Sequence, residues 1–182
     1  MAALQGFSRV KMFPVTKNDA TGYKVGEGFD VPEAQEMTRD MDTSETKINA
    51  DDRIYLNMKS WNGINSTITF VEMSLEMIAK LGFGTYDEDT GTLKADPQGQ
   101  NKEYAMTFQC LMTDGSYRRY KMFSFKINEI KETGIKTKGD GSDINKYQMV
   151  GTFTGRVVDK SPYEVNDGTD TAWLDTIEPV NA

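Results

Sequence analysis

From Gly63 to Val71 apolar and polar residues alternate. Ile64, Ile68 and Phe70 fall on one face at period two with Ser66 among them, and the other face is mostly polar, which predicts a strand. Glu72 and Met73 lead directly into a short apolar run whose ends carry helix signals, followed by Gly82-Phe-Gly-Thr-Tyr86. Ser74 suits the N-cap, because its hydroxyl accepts one of the orphan N–H groups of the first turn. Glu76 sits where the helix dipole favours an anion, and Met73 and Ile78 occupy the N′ and N4 positions of a hydrophobic staple. Lys80 and Gly82 close the helix. About eight residues span only about 12 Å, so Leu75, Ile78 and Leu81 are expected to pack on a sheet.

Period-two alternation recurs along the chain. Leu4 to Val15 reads as a first strand, ended by Pro14 and the turn-rich Lys17–Gly22. Val31 to Asn49 is polar and weakly periodic, and fits an extended arm or long hairpin, about 31–60 in all, better than a core strand. Arg53 to Ser60 alternates Ile54, Leu56 and Met58 against Tyr55, Asn57 and Lys59, and Trp61-Asn62-Gly63 offers an Asn-Gly turn into the next strand. Asp87–Gly91 reads as a turn and Asp96–Asn101 as a loop. The strongest hairpin follows, Glu103–Met112 and Tyr117–Ile130 joined by Thr113–Ser116. Lys136–Asp143 is a polar loop before a last strand from Lys146 to Val158, in which Gly151 and Gly155 mark bulges or close backbone approach. Beyond Pro162 the polar segment Tyr163–Ala182 is expected to be a mobile or interacting tail. One short helix on a β-rich body is the implied picture.

At 182 residues the chain suits one domain with a tail. Charged residues make up 27% and no apolar run approaches the ~20 residues needed to cross a bilayer, so a transmembrane reading is excluded. The first residues lack a basic region followed by an apolar one, so folding in a reducing cytoplasm is expected. Cys110 is the only cysteine, which leaves no internal disulfide and no cysteine-rich metal site. Its strand face is shared with Tyr104, Met106 and Phe108, which favours a buried thiol over a nucleophile. The absence of histidine removes Ser-His-Asp and Cys-His catalysis and histidine metal sites. No catalytic residue, metal ligand or cofactor site is assigned.

Charge changes the picture further. The net charge is −7 and the isoelectric point near 4.7, which argues against a protein that grips nucleic-acid phosphates. From Glu27 to Asp52 nine acids (Glu27, Asp30, Glu33, Glu36, Asp40, Asp42, Glu45, Asp51, Asp52) face only Arg39 and Lys47. From Tyr117 to Lys138 the balance reverses, with Arg118, Arg119, Lys121, Lys126, Lys131, Lys136 and Lys138 against Glu129 and Glu132. One reading is simple solvated surface. The other is that an acidic arm of one subunit meets the basic sheet of the next, a head-to-tail contact that builds rings or filaments, with Glu36, Asp40, Asp42 and Glu45 against Arg118, Arg119, Lys121 and Lys126.

Other motifs lead nowhere chemical. Asp87–Gly91 and Asp140–Asp143 lack the ligand spacing of a calcium loop and read as turns. Gly134–Gly139 begins like a phosphate loop, but Asp140-Gly141 stands where Lys-Ser/Thr is required. Tyr117–Lys126 interleaves aromatics with cations as single-strand nucleic-acid platforms do, yet a core-and-rim interface explains it equally well. The many carboxylates could supply an acid/base pair, but nothing fixes which two.

The order Ser44–Asp52, then Gly63–Gly82, then Thr85–Asp87, with Gly151-Thr-Phe-Thr-Gly155 near the end, resembles the major tail (tail-tube) proteins of long-tailed, non-contractile-type bacteriophages of Gram-positive hosts, over roughly Leu4 to Asp159. The resemblance implies a β-sandwich or barrel of antiparallel strands with one short flanking helix, spanning residues 1–158, with 159–182 an acidic C-terminal tail. It further implies hexameric rings stacked as a tail tube around a tape-measure protein, with tail terminator and distal tail proteins at the ends. Such a tube belongs to the virion and assembles in the host cytoplasm. DNA would pass through its lumen unbound, because an acidic wall repels phosphates; no membrane and no cofactor are implied. The competing readings are a monomeric β-sandwich module that binds carbohydrate or protein, with Trp61 and Trp173 as its tryptophan candidates, and a related secretion-system tube.

Overall fold

The computed structural model describes residues 3–50, 53–96, 102–133 and 146–181. In chain order the elements are β1 (Leu4–Asp19), β2 (Gly22–Val25), β3 (Phe29–Asp30), β4 (Ala34–Ala50), β5 (Arg53–Phe70), α1 (Leu75–Lys80), β6 (Gly84–Asp87), β7 (Thr92–Ala95), β8 (Glu103–Met112), β9 (Tyr117–Thr133), β10 (Lys146–Phe153), β11 (Tyr163–Asn166) and β12 (Val180–Asn181). The molecule is mainly antiparallel β with one short helix, as expected. One ten-stranded sheet runs β12-β2-β1-β8-β9-β10-β5-β4, with β3 on β1 and β11 on β9, and β6-β7 form a small second sheet.

The large sheet curls into a barrel-like wrap. The segment that enters β4 closes it: the Val31 amide donates to the Val10 carbonyl of β1 at 2.9 Å, the Val71 amide donates to the Glu33 carbonyl at 3.0 Å, and Arg39 of β4 lies across the concave face over Tyr120 of β9. The concave face encloses the main core, with Met12, Ile68, Phe70, Met106, Phe108, Met122, Phe125, Met149 and Phe153 all essentially sealed from solvent. Burying a side chain of this size contributes about 1.5–3 kcal/mol. Packing of this kind holds β1, β8, β9, β10, β5 and the start of β4 around one interior.

A second core, on the convex face, is formed by Phe13, Tyr23, Ala105, Phe123 and Ile177. Strand β8 is therefore covered on both faces. Tyr104, Met106, Phe108 and Cys110 point inward, while Ala105, Thr107 and Gln109 are buried beneath the C-terminal segment. That segment was expected to be a mobile or interacting tail. It is engaged rather than free: β11 pairs with Arg119–Met122 of β9, Leu174 is 2% exposed, the Thr107 hydroxyl donates to the Leu174 carbonyl at 2.8 Å, and β12 pairs with β2. It is a strap across the outer face.

Three other expectations need correction. Pro14 does not end the first strand, which continues to Asp19. The missing N–H falls where β1 exchanges partners, pairing with β8 up to Pro14 and with β2 from Val15, so no ladder bond is lost in mid-sheet. Asn62-Gly63 is a bulge within the single strand β5, since Asp42 pairs with Gly63 and Thr43 with Trp61. Gly63 has φ 145°, and a Cβ there would lie 2.7 Å from Thr152 Cγ2 and 2.9 Å from the Phe153 carbonyl oxygen, so the glycine serves close approach. The last core strand stops at Phe153, five residues short of Val158, because Gly155 takes φ 80° and turns the chain toward Ser161.

The helix sits where its signals place it. Ser74 Oγ accepts from the Met77 amide at 3.2 Å, and Met73 and Ile78 join the main core. Leu81 is 2% exposed and Gly82 follows with φ 90°. Leu75, by contrast, is 43% exposed: at the first helical position it faces solvent. Tyr104 of β8 donates its hydroxyl to the Lys80 carbonyl at 2.8 Å, satisfying one orphan group of the helix end. Burial pushes that phenol up to about 12. Asp87–Gly91 is a turn, with Asp87 accepting from the Asp89 amide and the Thr90 hydroxyl. The loop expected over Asp96–Asn101 lies outside the described residues beyond Asp96, and that over Lys136–Asp143 lies wholly outside them.

Candidate assembly surfaces

Strands β4 and β5 pair along their whole length, from Ala34 with Phe70 to Ala50 with Arg53. Among the described side chains, only those of the half nearest the helix touch the core. Beyond the bulge, Thr43–Lys47 and Asn57–Asn62 are exposed on both faces, so this part of the hairpin projects as a two-stranded arm. Met58 and Trp61 on it are 47% and 40% exposed. An isolated two-stranded hairpin is marginal in water, and this one has no third strand or helix beneath it among the described residues. The polar composition of Thr43–Lys47 suits full exposure, and is why sequence periodicity in β4 is weak.

The alternation of β4 gives its core-proximal half two different faces. Met37, Arg39 and Met41 fall on the concave face, Met37 against the core, Arg39 over the Tyr120 ring at 4.7 Å and Met41 open at the rim. Glu36, Asp40 and Asp42 fall on the opposite face. Glu36 and Asp40 are exposed, and Asp42 accepts from the Asn62 side chain at 3.3 Å. Glu45, on the arm, accepts from Asn57 at 2.6 Å and lies 3.5 Å from Lys47.

The basic residues expected to face a neighbour are mostly engaged within the chain. Arg118 makes a bidentate pair with Asp167 at 2.7 and 2.8 Å, which holds the Asp167 carboxyl below the usual range. Arg119 is 3% exposed and donates to the Gly168 carbonyl. Lys121 is 5% exposed with its ammonium 4.3 Å from the Trp173 ring, and desolvation lowers its pKa. Lys126 alone of the four is exposed. The strap also receives Lys11, whose ammonium donates to Asp175 at 2.8 Å and lowers that carboxyl's pKa. Buried Arg156 stacks 4.0 Å over Phe123 and pairs with Asp159 and Glu164 at 2.6 and 3.0 Å. The apolar residues of this strap, Trp173, Leu174, Ile177 and Val180, stand at irregular spacing inside an otherwise polar stretch.

One polar knot was not legible. Asn18 donates to Glu103 at 3.0 Å and Ser124 at 2.7 Å, and accepts from the Val157 amide at 2.8 Å, tying β1, β8, β9 and the turn after β10. Cys110 is buried, and burial pushes its thiol up against the pull of Arg39 and Arg118. Among the described residues no group of three or more acidic, cysteine or histidine side chains is placed to hold a metal ion.

No family model matches the chain, and no curated protein matches its sequence. Among solved structures it is similar to the tube-terminating cap of the anti-feeding prophage, with a TM-score of 0.43 and 9% identity over 86% of this chain and 88% of that chain. It is also similar to a chain of the six-fold symmetrised baseplate of the anti-feeding prophage, with a TM-score of 0.41 and 5% identity over 90% of this chain and 95% of that chain.

Proposed function

We propose that this chain is a structural, non-catalytic subunit that assembles into hexameric rings stacked as a tail tube, a conduit for the genome of a long-tailed phage or for the cargo of a related secretion tube. The observation that carries the reading is the arm: a hairpin that leaves the core with both faces open gains its stability from a neighbouring subunit. Among the described strands the outer edge of β4 has no neighbour, the kind of edge that pairing between subunits removes. The order of sequence elements given above points the same way, and a net charge of −7 suits a lumen that must pass DNA without holding it. Tape-measure, terminator and distal tail proteins would be its partners in the virion.

The binding-module alternative needs a cluster of open aromatic faces. Trp173 is covered by Lys121, and Trp61 stands on the arm at 40% exposure. Negative-stain microscopy of purified protein, with and without tape-measure protein, tests the reading. Rings or tubes are expected; persistent monomers at high concentration in both conditions would refute it.

A further inference from the structure

At the root of the arm the open end of the barrel forms a groove of about 300 Å³, lined by Met41, Ile64, Tyr120 and Val165 together with Arg39 and Arg118. Met41 is 65% exposed and Val165 44%, so its rim is an open apolar patch. The two guanidinium groups differ. Arg118 is neutralised by Asp167, whereas Arg39 lies 4.7 Å from the Tyr120 ring centroid and 5.8 Å from that of Phe108, and pairs with no carboxylate among the described residues. Stacking fixes the plane of the Arg39 fork and leaves its N–H edge free, which is the arrangement that takes a carboxylate from outside. Arginine and methionine on aromatic flooring are also what the centre of a protein interface is made of.

The complement lies on the other face of the same strand. Glu36 and Asp40 are exposed and have no cationic partner among the described residues. We propose that in the tube the Glu36 and Asp40 face of one copy seats against the Arg39 groove of the next copy. The proposal rests on the tube reading and replaces the cationic half of the contact expected from sequence, since Arg118, Arg119 and Lys121 are occupied by the chain's own strap. A contact between two different faces is heterologous, so it closes rings or propagates.

The test uses the full chain and the concentration at which it assembles, followed by light scattering and sedimentation at low salt. Arg39→Glu and Asp40→Lys are each expected to raise that concentration roughly tenfold or more. An equimolar mixture of the two variants should assemble near the wild-type concentration, because each supplies the face that the other lacks; the Arg39→Glu/Asp40→Lys double variant should do the same. Arg39→Met keeps the apolar stem on Tyr120, and should show the same loss if the Glu variant does not fold. Folded Arg39→Glu protein that assembles like wild type, or folded variants whose mixture does not recover, overturns this contact and leaves the tube reading standing. A wild-type chain that stays monomeric throughout overturns both.

Discussion

Gly151 is where a single hydrogen decides packing. Its strand β10 slips register between Val150 and Gly151 against β9, and a Cβ at this position would lie 2.3 Å from the Lys126 carbonyl oxygen and 2.7 Å from the Phe125 ring. Neither neighbour can give way, since Phe125 is sealed and stacked on Phe153 with ring centroids 4.3 Å apart. Gly151→Ala is therefore expected to destabilise the fold by about 1–3 kcal/mol, read as a lower urea midpoint with an unchanged slope; an unchanged midpoint would show that the pinch is not real. This position was legible, because glycine inside an alternating strand signals a bulge or a close approach. The fates of Arg119 and Lys121 were not. Strand alternation assigns a face, but which face is dry depends on a segment some fifty residues away, and a cation on a strand reads as solvated until something covers it.

Among the elements, the helix was legible because its cap, staple and closing glycine are local signals. The strap was not, because its four apolar residues follow neither the strand nor the helix period and act by covering a distant sheet. Its anchors carry a pH dependence. Asp167 is held below its ordinary pKa by the hydrogen bonds from Arg118, and Asp175 by that from Lys11. A depressed folded pKa means that the unfolded chain binds more protons as pH falls, so this stabilisation is fully present above the ordinary carboxylate value of about 3.9 and is lost below it. In a Trp61→Phe background, the emission of Trp173 should be constant from neutral pH to about 4 and shift to the red at lower pH. A red shift centred near pH 6 would mean that other groups hold the strap.

For the whole molecule, the arm separates folding from assembly. The described side chains of Thr43–Lys47 and Asn57–Asn62 are open to solvent, so the barrel does not depend on them. Replacing 44–60 by a two-residue Asn-Gly turn between Thr43 and Trp61, which already face each other across the strands, should leave the melting temperature within a few degrees and abolish rings and tubes. Loss of the fold would show that the arm belongs to the core; tubes without the arm would remove its part in assembly. Element order and the long polar hairpin were legible at this scale. Closure of the barrel was not, since it rests on pairings between distant segments, Val10 with Val31 and Arg39 with Tyr120, that no local period encodes.

The double covering of β8 has a consequence in time. Phe13, Ala105 and Phe123 are in place once the β8-β9 hairpin has emerged, but Ile177, which completes the convex core with them, follows Phe123 by roughly fifty residues. At about 5–20 residues per second, each nascent chain carries an apolar face covered only in part, by Tyr23, for roughly 3–10 s. During that interval the ribosome, through its pace, sets how long this surface is available to chaperones or to the wrong neighbour.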